Sequence, residues 1–162
     1  MSKQLFRSVY RVFGVISCSV FFLSACTQEH AGPNDAKTKL NEYITKSFSV
    51  KTPQDKDALL NFLTGEAKSR LQAWSDDQFR EAFVDTKRQF QKLAFKEVKN
   101  LSPSETQITY ELSYLDLDKK GSSFKVTNKK MAELVNDSGN WYIRDVHNIK
   151  ELVEYQNEMS LP

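Results

Sequence analysis

Cysteine and histidine are nearly absent from this sequence. Cys18, Cys26, His30 and His147 are the only residues of either type in 162, too few for a disulfide scaffold or a cysteine-based zinc site, since one structural zinc alone takes four ligands. With 5 Gly, 4 Pro and 40% hydrophobic residues, the composition excludes a collagen-like, low-complexity or wholly disordered chain. Charge of one sign is lacking too. The 23 Lys+Arg stand against 21 Asp+Glu, a net charge of +2, without the concentrated basic surface a nucleic-acid binder needs to release counterions from phosphates. There is no Gly-rich phosphate loop, no His-Glu-x-x-His, no nucleophile elbow and no Cys-x-x-Cys. No metal, cofactor or nucleic-acid partner is therefore expected, and the length is that of one core.

What the N-terminus does contain is a graded leader. Lys3, Arg7 and Arg11 form a basic segment without acids, and residues 12–25 carry no charge. That run is too short to cross about 30 Å of hydrocarbon, which takes roughly 20 apolar residues, and its order, basic then apolar, is that of an export signal. It closes on Leu23-Ser24-Ala25-Cys26. This ending resembles the lipobox of bacterial lipoproteins. The resemblance implies that residues 1–25 are a signal peptide and that Cys26 becomes a diacylglyceryl-modified N-terminus inserted in a lipid bilayer. Each buried acyl methylene contributes about 0.8 kcal/mol, so two chains anchor a domain firmly. Thr27 rather than Asp follows the cysteine, which by the same resemblance favours an outer-membrane location facing the periplasm. Loss of the leader leaves 20 basic against 21 acidic residues, net −1. Cys18 departs with it and Cys26 is acylated, so stability has to come from the core.

Residues 26–34 read as a lipidated N-terminus and polar linker with Gly32 and Pro33, and residues 35–162 as one domain. Ala36, Leu40, Tyr43, Ile44 and Phe48 recur at three- and four-residue steps, one stripe of a helix. Thr52-Pro53 starts a second helix, whose stripe of Leu60, Leu63, Ala67, Leu71 and Trp74 contains a bend at Gly65. Ser75-Asp76-Asp77-Gln78 reads as a capping box opening a third, with Phe79, Ala82 and Phe83 inward. The period then changes to two. Residues 93–101 and the alternation Thr106, Ile108, Tyr110, Leu112, Tyr114 predict strands; Leu115 and Leu117 switch parity, which predicts a bulge near them. Strands over 124–135 and 141–146 follow, separated by turns at 119–122 and 137–140. The sequence Asn148-Ile149-Lys150-Glu151, with Leu152 and Val153 behind it, predicts a short C-terminal helix or a tail laid on the body.

Helices followed by a bent antiparallel meander define an α+β domain. Residues 35–147 resemble the nuclear transport factor 2-like fold, also called ketosteroid isomerase-like or cystatin-like. The resemblance rests on the element order, on Leu-Leu-Asn-Phe-Leu-Thr-Gly-Glu-Ala-Lys (59–68) leading into Leu71, and on Gly-Asn-Trp-Tyr-Ile-Arg-Asp-Val (139–146) as the last strand. It implies a cone-shaped domain with a pocket between sheet and helices. Members of this superfamily include binding proteins and enzymes, so the resemblance fixes no activity.

On an unbroken last strand Asp145 and His147 share a face with Trp141 and Ile143, while Tyr110 and Tyr114 have inward parity on theirs. Together they are the candidate catalytic set of an isomerase- or hydrolase-like enzyme, the carboxylate orienting an imidazole base and a phenol donating to a developing oxyanion. Against this stands a bland reading of polar strand ends and packed tyrosines. The stretch Asp116 to Gly121 fails as a calcium loop, because Lys120 and Thr127 occupy positions where oxygen ligands are needed. Lys119, Lys120, Lys125, Lys129 and Lys130 crowd one hairpin, as a charged strand edge or an anion-binding patch. The leading expectation is an envelope lipoprotein whose tethered domain binds a protein partner or a small apolar ligand. An enzyme and a structural or assembly factor of the envelope are its rivals.

Overall fold

The computed structural model describes residues 35–117 and 123–155; residues 1–34 with the leader, Cys26 and the linker, residues 118–122 with Lys119 and Lys120, and residues 156–162 lie outside them. Asp35 opens α1 (Ala36–Phe48) by accepting from the Thr38 backbone N–H at 2.6 Å, which satisfies one donor that a helix start leaves unpaired. Ala36, Leu40 and Ile44 form its buried stripe, with Tyr43 and Phe48 packed beside them.

The single helix expected over 52–74 is broken in two. A 3₁₀ turn at Pro53–Asp55 leads into α2 (Lys56–Leu60), after which Leu63 pairs in parallel with Ile143; the Thr64 N–H donates to Ile143 O and the Ile143 N–H to Phe62 O, both at 2.9 Å. The next helix, α3 (Gly65–Ala73), begins at Gly65 with φ +52°, where a Cβ would stand 2.9 Å from Arg144 Cγ. Gly65 thus ends one run and starts another where the chain passes close to the sheet. Gly65→Ala is expected to lower stability by about 1–2 kcal/mol through the left-handed backbone alone; an unshifted urea midpoint would contradict this close approach.

Ser75 and Gln78 form the predicted capping box, the Gln78 N–H donating to Ser75 Oγ at 3.2 Å and the Ser75 N–H to Gln78 Oε1 at 2.9 Å. They open α4 (Asp76–Phe79), which runs into a π-helical turn at Arg80–Val84. Phe79 is completely buried and stacks on Phe83, centroids 4.8 Å apart. Trp74, expected on the buried stripe, is instead substantially exposed.

Four antiparallel strands make one open sheet in chain order: β1 (Arg88–Ser102), β2 (Glu105–Leu117), β3 (Ser123–Asp137) and β4 (Asn140–Tyr155). The central β2 and β3 pair without interruption, so the bulge expected near Leu115 is absent and Leu117 is left exposed. The bulges sit on the edge strands, where Gln91, Lys96 and Leu101 of β1 and Arg144 and Ile149 of β4 are the extra residues. Each bends its strand and increases the local twist. The predicted C-terminal helix does not form either. Asn148 to Tyr155 pair with β3 from Lys130 back to Phe124, because the ladder satisfies every second backbone group of the segment and outweighs a local capping preference.

One sheet face carries Ile108, Tyr110, Leu112, Tyr114, Val126, Ala132, Leu134 and Ile143 against the helices. Phe95, Val98 and Leu101 of β1 are exposed. Among the described residues no helix is long and apolar enough to cross a membrane.

Candidate functional site

The alternation of β3 places two polar side chains where the strand otherwise builds core. Val126, Asn128, Lys130, Ala132 and Leu134 oppose Tyr114, Leu112, Tyr110, Ile108 and Thr106 of β2, all on the buried parity. Asn128 is only 4% exposed and Lys130 is half-buried. Both line a cavity of ≈ 350 Å³ between this sheet face, α1 and Phe83. Its walls mix aromatic with polar side chains. Tyr43 and Phe48 come from α1, Phe83 from the π-helical turn, and Tyr110 and Tyr114 from β2. The Phe48 ring lies 5.8 Å from that of Tyr114, and the Arg88 guanidinium sits 5.4 Å from the Tyr114 centroid, a cation–π approach.

Burial governs the ionisation of these groups. It pushes the Tyr43, Tyr110 and Tyr114 hydroxyls above their ordinary range, so all three remain neutral phenols. It pushes the Lys130 ammonium down, helped by repulsion from Arg88 and opposed by Glu151. The Oδ1 of Asn128 has no hydrogen-bond donor. A buried amide oxygen without a partner is uncommon, since leaving one costs about 1–3 kcal/mol. Glu151 is exposed on the edge strand β4, opposite Asn128 in the register.

The candidate set read from the sequence is divided by the structure. Tyr110 and Tyr114 line the cavity; Asp145 and His147 do not. The cause is the bulge at Arg144. Ile143 pairs with Leu134 and Val146 with Ala132, so inward parity passes from odd to even residues, and Asp145 and His147 oppose Glu133 and Met131 instead. Asp145 and His147 do touch, Oδ2 to Nε2 at 3.2 Å, but His147 is half exposed and Asp145 is held by the guanidinium of Arg70 on α3. That hydrogen bond, with a second from the Val146 N–H, holds the Asp145 carboxyl below the usual carboxylate range. A depressed folded-state value means stability that is present above the ordinary carboxylate range and lost as pH falls through the lowered one. Arg70→Met is accordingly expected to shrink the loss of stability between about pH 5 and pH 2, measured by urea unfolding across that range; an acid profile identical to the parent's would refute a linked pair.

The three described hairpin lysines do not form one patch. Lys119 and Lys120 lie outside the described residues. Lys125 pairs with Glu154 at 3.0 Å, Lys129 is exposed opposite Lys150, and Lys130 points the other way, into the cavity. Nor do they guard an edge, since β3 is a central strand. Arg88, Asn128, Lys130, Tyr43 and Asn148 are cavity residues that sequence reasoning misses. A signal for two of them is nonetheless there, since Asn128 and Lys130 are polar residues on the apolar parity of β3.

No protein-family model matches the chain, and no curated protein matches it. Similar solved structures include the intermembrane space region of the chloroplast protein ARC6, at 16% identity and a TM-score of 0.50, over 70% of this chain and 95% of that one. Aln2 from a Streptomyces species is 11% identical with a TM-score of 0.47, over 74% and 89% of the two chains. A protein from Catenulispora acidiphila is 12% identical with a TM-score of 0.40, over 74% and 90%. The likeness to the ARC6 region concerns the fold alone, an α+β arrangement of helices on a four-stranded antiparallel sheet.

Proposed function

We propose that this chain is a lipid-anchored envelope lipoprotein whose domain, of the nuclear transport factor 2-like arrangement, holds a small apolar ligand between α1 and the sheet. The observation that carries the binding part is the cavity of ≈ 350 Å³, lined by aromatic and polar side chains, within the roughly 300–1,000 Å³ typical of small-molecule sites. The described lining offers phenols, amides and cations but no carboxylate or imidazole, which favours retention of a ligand over the isomerase- or hydrolase-like alternative. The anchoring part rests on Lys3, Arg7 and Arg11, the uncharged run to Ala25, and Cys26.

Binding of the neutral fluorophore N-phenyl-1-naphthylamine to the full-length chain tests the cavity. Asn148 lies at its lining on an exposed stretch of β4, so Asn148→Trp obstructs the space with little demand on the core. Affinity is expected to fall about tenfold or more, since overfilling a packed site costs about 1–3 kcal/mol. An unchanged affinity would put the fluorophore elsewhere on the chain and count against the reading.

A further inference from the structure

The polar groups of the cavity specify its occupant further. Half-buried Lys130 and exposed Arg88 both line this space, and among the described residues neither side chain makes an ion pair or a hydrogen bond; Arg88 approaches the ring of Tyr114. Burying a cation without a close counter-charge is unfavourable, and the low position of the Lys130 ammonium reflects its burial and the field of Arg88, opposed by that of Glu151. Between the two in the register lies Asn128. Lys130 opposes Tyr110, Asn128 opposes Leu112, and Arg88, whose register partner is Asp116, reaches over the ring of Tyr114. The Asn128 amide is 4% exposed and its oxygen is unpartnered; turned over, the same amide offers an N–H to the same space. Two cations flanking a buried amide form a cradle for one anionic group.

Building on the ligand-binding reading above, we infer that the occupant is an amphipathic organic anion, an apolar body with a single carboxylate held by Lys130, Arg88 and Asn128. The body lies against Phe48, Tyr110 and Tyr114. A carboxylate supplies an ion-pair partner to both cations at once, and charge-assisted hydrogen bonds are roughly twice as strong as neutral ones. Glu151 opposes the downward push on Lys130, and Asp116 is the register partner of Arg88, but neither forms an ion pair with either cation. They leave room for an external anion rather than replacing it.

The test is calorimetric titration of the full-length chain with 2-naphthoate and with its neutral isostere 2-naphthamide. The naphthoate is expected to bind about tenfold tighter or more. Lys130→Met and Arg88→Met should each reduce that preference severalfold. Circular dichroism confirms that each variant is folded. Equal affinities for the two probes in the parent chain, or a preference that survives both substitutions, would overturn the anion proposal while leaving the cavity reading standing. Failure of both probes to bind the parent chain would overturn the two together.

Discussion

Replacing Phe79 with alanine is expected to lower the unfolding free energy by about 3–5 kcal/mol, the range for removing a large buried aromatic. Phe79 has no exposed surface and closes α4, a helix of only four residues that is fixed by its capping box rather than by length. Its ring stacks on Phe83, which packs in turn against Trp74 at 6.0 Å and forms one wall of the cavity. The loss is comparable to much of a small domain's total stability, typically about 5–15 kcal/mol, so the variant should unfold at far lower urea. The cavity wall should loosen with it, and N-phenyl-1-naphthylamine binding should weaken in parallel. A midpoint within experimental error of the parent would show that the α4 segment does not seal the core as described.

The second large effect concerns the proposed anchor. Cys26→Ser removes the thiol to which diacylglycerol would be attached, and the chain is expected to lose acyl labelling and to retain its leader. The change is close to all-or-none, because anchoring by two acyl chains draws on about 0.8 kcal/mol for each buried methylene, and no described helix is long and apolar enough to span a bilayer in its place. The readout is incorporation of a labelled fatty acid into the protein in growing bacteria. Labelling of the Cys26→Ser chain equal to the parent's would remove the lipoprotein part of the proposal.

Elements whose period is set by one solvated face are legible in the sequence. The stripe of α1, the alternation of β2 and the Ser75–Gln78 box all occur where the local pattern puts them. The departures arise where a distant segment intervenes. The break at Gly65 follows from Arg144, 79 positions further along, and from the pairing of Leu63 with Ile143. The bulge at Arg144 depends on how β4 meets β3, and it alone moves Asp145 and His147 off the inward parity. A strand read in isolation has no means of showing an inserted residue. Asn148 to Glu151 reads as a helix start until β3 supplies a ladder for it. Lys130 escapes for a different reason. Charge groups it with its lysine neighbours, although its two-residue spacing from Asn128 and Ala132 puts it inside.

Occupancy of the cavity is the central claim, and amide-resolved NMR during titration of the full-length chain with 2-naphthoate tests it most directly. The predicted result is saturable shifts of the Asn128 side-chain amide and of the backbone amides of Tyr110, Leu112 and Lys130, residues that line one space. Shifts confined to the exposed apolar residues of β1, Phe95 and Val98, or no saturable shifts at all, would contradict it.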